Sequence, residues 1–150
     1  MKIVVALVSV ISLLTLAAPS HADYVDELTA IQADNNPCER FGGGWKTFAY
    51  DGTSNISYCA RLRSGNPNNS LAVTDVTGVY RGRCSGEFKE FAYDGTANIR
   101  FCAKKARVSS SRNYVKDVGA LMGNGCKRGW DRFVFNGRSN ISFCAVFNQR

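Results

Sequence analysis

Histidine is all but missing: the single one among 150 residues is His21. Past residue 22 there is none, which excludes Ser-His and Cys-His nucleophilic catalysis and every histidine-containing metal site from that part of the chain. Long apolar runs are equally scarce. One extends from Ile3 to Ala18, and there is no second. It follows Lys2, is shorter than the ≈ 18 to 20 residues of a membrane span, and leads into Pro19-Ser20-His21-Ala22. Ser20 and Ala22 stand at the minus-three and minus-one positions of a cleavage site. Residues 1–22 are therefore expected to be a secretory signal peptide, leaving a mature chain from Asp23 without a transmembrane segment. Sustained helical periodicity is absent too. Only Asp23 to Ile31 could pass for a short helix, and its echoes later in the chain favour a strand. Close carboxylate pairs are few, Glu87 with Glu90 being the one outside the N-terminal segment. Neither has an acidic counterpart in both related segments, so the pair reads as a solvated edge and not a glycosidase dyad. The expectation is a protein without enzymatic activity, cofactor or metal.

What the chain has is repetition. The stretch GWKTFAYDGTSNISYCA (Gly44 to Ala60) returns as EFKEFAYDGTANIRFCA (Glu87 to Ala103) and as GWDRFVFNGRSNISFCA (Gly129 to Ala145). A weaker echo precedes each: Val25-Asp26-Glu27-Leu28, Val73-Thr74-Asp75-Val76 and Val115-Lys116-Asp117-Val118. The chain is a triplicated unit, with repeats at about 23–66, 67–108 and 109–150 forming one all-β domain. Aromatic and β-branched residues flank Asp51-Gly52, Asp94-Gly95 and Asn136-Gly137, the signature of a hairpin with a tight, left-handed-tolerant turn. Strict alternation cannot accommodate Trp45, Phe48 and Tyr50 together, so a bulge or wide loop is expected. Asn55, Asn98 and Asn140 read as buried side chains bonding the hairpin backbone.

One such unit cannot bury both faces of its own sheet, so the three must share a core about a pseudo-threefold axis. Trp45, Phe88 and Trp130, with Phe48, Phe91, Phe133, Ile56, Ile99 and Ile141, are the candidates for it; the alternative for the tryptophan positions is exposed sugar-stacking platforms. All six cysteines lie beyond residue 22, an even count that in an exported chain reads as three disulfides. Equivalence of the copies makes Cys38–Cys59, Cys84–Cys102 and Cys126–Cys144 the simplest symmetric scheme, with a cyclic scheme between neighbouring units as its rival. Spacing and the lack of paired ligands argue against zinc.

The phrase Gly-Trp, then Phe, Asp/Asn-Gly, Asn-Ile and aromatic-Cys resembles the thrice-repeated motif of β-prism domains of the multivesicular-body subunit type, across all three units. That resemblance implies a pseudo-threefold prism of three sheets with about four strands each, an architecture shared with jacalin-like lectins, and membrane or glycan binders in place of enzymes. The cysteine pairs depart from the intracellular relatives, and the C-terminal sugar loop of the lectins is missing. A β-trefoil is the alternative fold, but its Gln-x-Trp signature is absent.

The basic residues are less symmetric than the scaffold. Formal charge is +7, or +6 without Lys2. Arg61 and Arg63 follow the first closing motif and Lys104, Lys105 and Arg107 the second, whereas the third offers Val146-Phe147-Asn148. Arg81, Arg83, Lys127 and Arg128 bracket Cys84 and Cys126. These nine are the candidate binding residues. They point to a secreted protein, extracellular or periplasmic, that binds a glycan or an anionic lipid surface in a lectin-like or head-group-binding manner. The alternative is a disulfide-braced effector or enzyme inhibitor with a protein partner. Sequence-specific nucleic-acid binding lacks any motif. Asn55-Ile-Ser57, Asn140-Ile-Ser142 and Asn68-Asn69-Ser70 match the glycosylation acceptor pattern.

Overall fold

The structure, a computed structural model, describes residues 23–33, 37–109 and 112–149; the signal-peptide reading of residues 1–22 lies outside them. Each copy forms three strands: β1 (Asp23–Gln32), β2 (Trp45–Asp51) and β3 (Ile56–Ser64); β4 (Leu71–Tyr80), β5 (Phe88–Asp94) and β6 (Ile99–Arg107); β7 (Val115–Met122), β8 (Asp131–Asn136) and β9 (Ile141–Phe147). In each antiparallel sheet the last strand is central, giving the orders β1-β3-β2, β4-β6-β5 and β7-β9-β8. The fold is all-β and pseudo-threefold, three sheets forming the faces of a prism. Each sheet has three strands where the resemblance implies four. The described residues that follow β1, β4 and β7 before the next strand form no further strand of a sheet, and they are pinned to the central strand. Ser57 Oγ, Arg100 Nε and Ser142 Oγ donate to the carbonyls of Ala33, Gly82 and Gly123 at 3.2, 2.7 and 2.6 Å. Two residues further along each central strand a disulfide completes the pinning: Cys38–Cys59, Cys84–Cys102 and Cys126–Cys144, the symmetric scheme.

The two echoes in each copy mark bulges. The register slips between Val25 and Glu27, Val73 and Asp75, and Val115 and Asp117, and again between Thr47 and Ala49, Glu90 and Ala92, and Arg132 and Val134. The extra residue at Phe48, Phe91 and Phe133 lets these rings turn inward, where they pack against both layers of the core. Beyond the bulge the alternation is reversed. Trp45, Phe88 and Trp130 consequently stand on the outer face, half-buried. Trp45 meets Phe41 edge-on at 5.4 Å, and Trp130 covers Gly119. They are not core residues, contrary to the expectation from sequence.

The core comes instead from every second residue of the central strands. Ile56, Ile99 and Ile141 form one layer and Tyr58, Phe101 and Phe143 the next, the three rings meeting on the axis with centroids 4.7 to 4.8 Å apart. Ala60, Ala103 and Ala145 follow, beside Val25, Leu28 and their equivalents Val73, Val76, Val115 and Val118. All three axial rings are fully buried, each contributing about 2 to 3 kcal/mol of apolar burial. Their small neighbours let three backbones approach one axis.

Candidate functional site

Each hairpin turn is held by the side chain at its base. Thr53 N donates to Asp51 Oδ1 at 2.9 Å, Thr96 N to Asp94 Oδ1 at 2.9 Å, and Arg138 N to Asn136 Oδ1 at 3.0 Å. This is the turn-forming role these residue types take. Positive φ, however, falls at the far side of the turn, on Asn55 (54°), Asn98 (56°) and Asn140 (55°), not at the Asp-Gly or Asn-Gly step. These asparagines are not buried. Asn55 and Asn98 accept the hydroxyls of Tyr50 and Tyr93 at 3.0 and 3.2 Å.

The remaining oxygens do something the sequence did not reveal. Asn136 Nδ2 donates to Asp51 Oδ2 at 2.8 Å and to Asp94 Oδ2 at 2.7 Å, and all three residues have 0% exposure. The three hairpin tips are thereby drawn together over the axis. Beneath them the Tyr58 hydroxyl is sealed in without a hydrogen-bond partner among the described residues. Burial first, then the negative charge of Asp94 and Asp51, drives its pKa upward.

At its surface this tip end is apolar and cationic. Tyr80, Tyr93 and Met122 are exposed by 54, 43 and 73%, which accounts for three of the five exposed large apolar side chains among the described residues. The Arg100 guanidinium lies 4.3 Å over the Tyr93 ring and is paired with Glu90 at 2.5 Å. Arg81, whose N–H bonds the Asn98 carbonyl at 3.0 Å, and Arg138 within the third tip are exposed and in no ion pair among the described residues. Of the acidic side chains, Glu90 reaches this end through its pair with Arg100. Apart from buried Asp51 and Asp94, the acidic residues of the described ladders pair at the level of the cysteines or farther from the tips, as Glu90 with Cys102, Asp131 with Ala145 and Glu27 with Arg61.

The nine basic residues expected from sequence divide. Five sit at the opposite end and are engaged. Asp26 accepts Arg61 and Arg63 at 2.8 and 2.9 Å, Lys104 pairs with Glu87, Lys105 with Glu27 at 2.7 Å, and Arg107 bonds the Asn69 carbonyl at 2.8 Å. Burial pulls the Asp26 carboxyl up, but hydrogen bonds from Arg61 and Arg63 outweigh it and hold its pKa below the ordinary value. Lys104 likewise holds the Glu87 carboxyl down. Arg81, Arg83, Lys127 and Arg128 are exposed on two crossover segments and in no ion pair among the described residues. Arg83 borders a recess of ≈ 440 Å³ with Lys89, Arg100 and Glu90, whereas Lys127 and Arg128 lie at the start of β8, away from the tips. Arg138, Tyr80 and Met122 were missed because they interrupt the repeat: Arg138 stands where the other copies have Thr53 and Thr96, and Tyr80 and Met122 stand where the first copy has Gln32, whereas Tyr93 keeps the aromatic character of its equivalents Tyr50 and Phe135. Among the described residues no helix is long and apolar enough to cross a membrane. Three disulfides are the chemistry of an oxidising compartment. No family model matches the chain, and no curated protein matches it in sequence.

Proposed function

We propose that the protein is an exported, non-catalytic recognition module that docks tips first onto an anionic cell surface, of phospholipid head groups or acidic glycans. One observation carries this reading: among the described residues Arg81, Arg83 and Arg138 have no carboxylate partner toward the end where Tyr80, Tyr93 and Met122 are exposed. Cations beside amphipathic rings suit a charged interface, because the ring settles at the boundary while the guanidinium holds the anion. The disulfide-sewn sheets keep these loops in place before binding, so little ordering cost accompanies it. The prism architecture, shared with groups of glycan and membrane binders, agrees with the same role.

The test is retention of the oxidised protein on phosphatidylserine-containing vesicles, neutral vesicles, and neutral and acidic glycan arrays, at low and high salt. Binding is expected on anionic targets alone and falls as salt rises. The triple variant Arg81→Glu, Arg83→Glu, Arg138→Glu loses about 100-fold in affinity, at roughly 1 kcal/mol for each cation. The Lys104→Ala, Lys105→Ala variant, whose lysines are already paired, keeps its binding. Undiminished binding by the arginine variant, or a one-to-one protein complex that survives high salt, overturns the proposal.

A further inference from the structure

The buried end of the axis carries two acidic side chains and no basic one. Asp51 and Asp94, each at 0% exposure, receive only backbone N–H groups, the Thr96 hydroxyl and the Asn136 amide. Two adjacent carboxylates without a cation are costly in a dry interior. The same axis and the first and third tips hold buried hydroxyls. Tyr58 Oη, Ser54 Oγ and Ser139 Oγ are the buried side-chain polar atoms without a partner among the described residues. Ser54 and Ser139 hold the same place in the first and third tips as Ala97 does in the second, and Ala97 packs against the axial cluster that contains Tyr58. Tyr58 is itself at 0% exposure, on the axis between Phe101 and Phe143, where Asp94 and Asp51 are the charges acting on it.

We propose that this axial cluster binds a hard metal cation, calcium above all, through the carboxylates of Asp51 and Asp94 and the hydroxyls of Tyr58, Ser54 and Ser139. Asn136 bonds one lone pair of each Oδ2, at 2.8 and 2.7 Å, and a carboxylate oxygen carries a second that could serve a cation. Its amide therefore fixes the two carboxylates without competing for the metal. No three His, Cys, Asp or Glu side chains gather into a metal cluster among the described residues, so the donor set must be completed by hydroxyls. An all-oxygen set of two carboxylates and neutral oxygens is calcium chemistry, and its low charge fits the weak sites of extracellular modules, with Kd of about 10⁻⁴ to 10⁻³ M. The occupied site would lock the three tips together. The inference does not depend on the proposed surface binding.

The experiment is thermal unfolding of the oxidised protein in chelator and then in millimolar Ca²⁺, Mg²⁺, Na⁺ or K⁺ at matched ionic strength, with calorimetric titration of CaCl₂. Ca²⁺ is expected to raise Tm by about 5 °C, with one site per chain. Ser54→Ala with Ser139→Ala copies the second tip and so keeps the fold; Tyr58→Phe copies Phe101 and Phe143. Each is expected to weaken Ca²⁺ binding about tenfold or more while leaving Tm in chelator unchanged or raised. If none of the four cations moves Tm, the proposal falls. A Ca²⁺ shift that persists undiminished in both variants places the ion elsewhere and overturns it equally.

Discussion

Side chains at equivalent positions of the three copies have taken different jobs, and Asn136 is the sharpest instance. With aspartate in all three places the axis would hold three acceptors and no donor; the amide supplies both hydrogens that Asp51 and Asp94 require. Tyr58 is the converse, a hydroxyl added where the other copies have Phe101 and Phe143. Asp26 has neither an acidic nor a symmetric equivalent, since Thr74 and Lys116 replace it, and it fastens Arg61 and Arg63 at once. Its lowered pKa makes a pH-dependent prediction. A carboxyl whose folded value is depressed stabilises the fold fully above its ordinary value near 3.8, and that contribution disappears as pH falls through the lowered value. Asp26→Asn is therefore expected to cost about 1 to 3 kcal/mol at pH 7, and the difference from wild type should begin to narrow near pH 4 and vanish below the lowered value. Urea unfolding of both proteins across pH 2 to 7 measures it; a gap that is constant with pH would contradict the assignment.

Elements meet at three corners, and the corners are not alike. Where β4 faces β8, Gly78 lies directly under Val134, leaving no room for a Cβ. The equivalent positions on β1 and β7 are Ala30 and Ala120, and those on β2 and β5 are Ala49 and Ala92, so one corner uses glycine with valine where the others use two alanines. Between β1 and β5 a groove of ≈ 320 Å³ runs beside Ala30 and Ala92. Gly78→Ala is expected to destabilise by about 1 to 3 kcal/mol through overpacking, and Val134→Ala in the same chain to restore much of it, because the pair then matches the alanine corners. Equal stability of the single and double variants, measured by chemical unfolding, would refute the contact. Strands, the bulge at Phe48 and the disulfide partners were legible in the sequence, because repetition prints the same local instruction three times; the bulge in the Val-x-Asp-Val echo was not, since the echo reads only as a strand. The inward direction of Tyr58, Phe101 and Phe143 was not legible, since it depends on how many residues each bulge absorbs. Nor was the tip end, whose defining residues Tyr80, Met122 and Arg138 differ from their counterparts and therefore fall outside any pattern of repetition.

Across the whole molecule, stability is shared among sheets that cannot stand alone. Each inner face is completed by the other two in both core layers, so no sheet has an apolar interior of its own. Removing one bridge, as in Cys126→Ala with Cys144→Ala, is expected to cost about 3 kcal/mol in the chain-entropy account. The loss should appear as one cooperative transition moved to lower urea in every spectroscopic probe, not as early melting of the third sheet. Two separated transitions would show that the sheets fold independently. The mixed ring at the axis carries a last consequence for how such a molecule can be rebuilt. A chain written as three first or three second copies would crowd three acids onto one point with no amide among them. A chain written as three third copies would instead offer an asparagine at every station, each able to give to a neighbour and accept at its own turn. The modern copies are thus no longer interchangeable parts, and only the third holds a tip that could close the circle by itself.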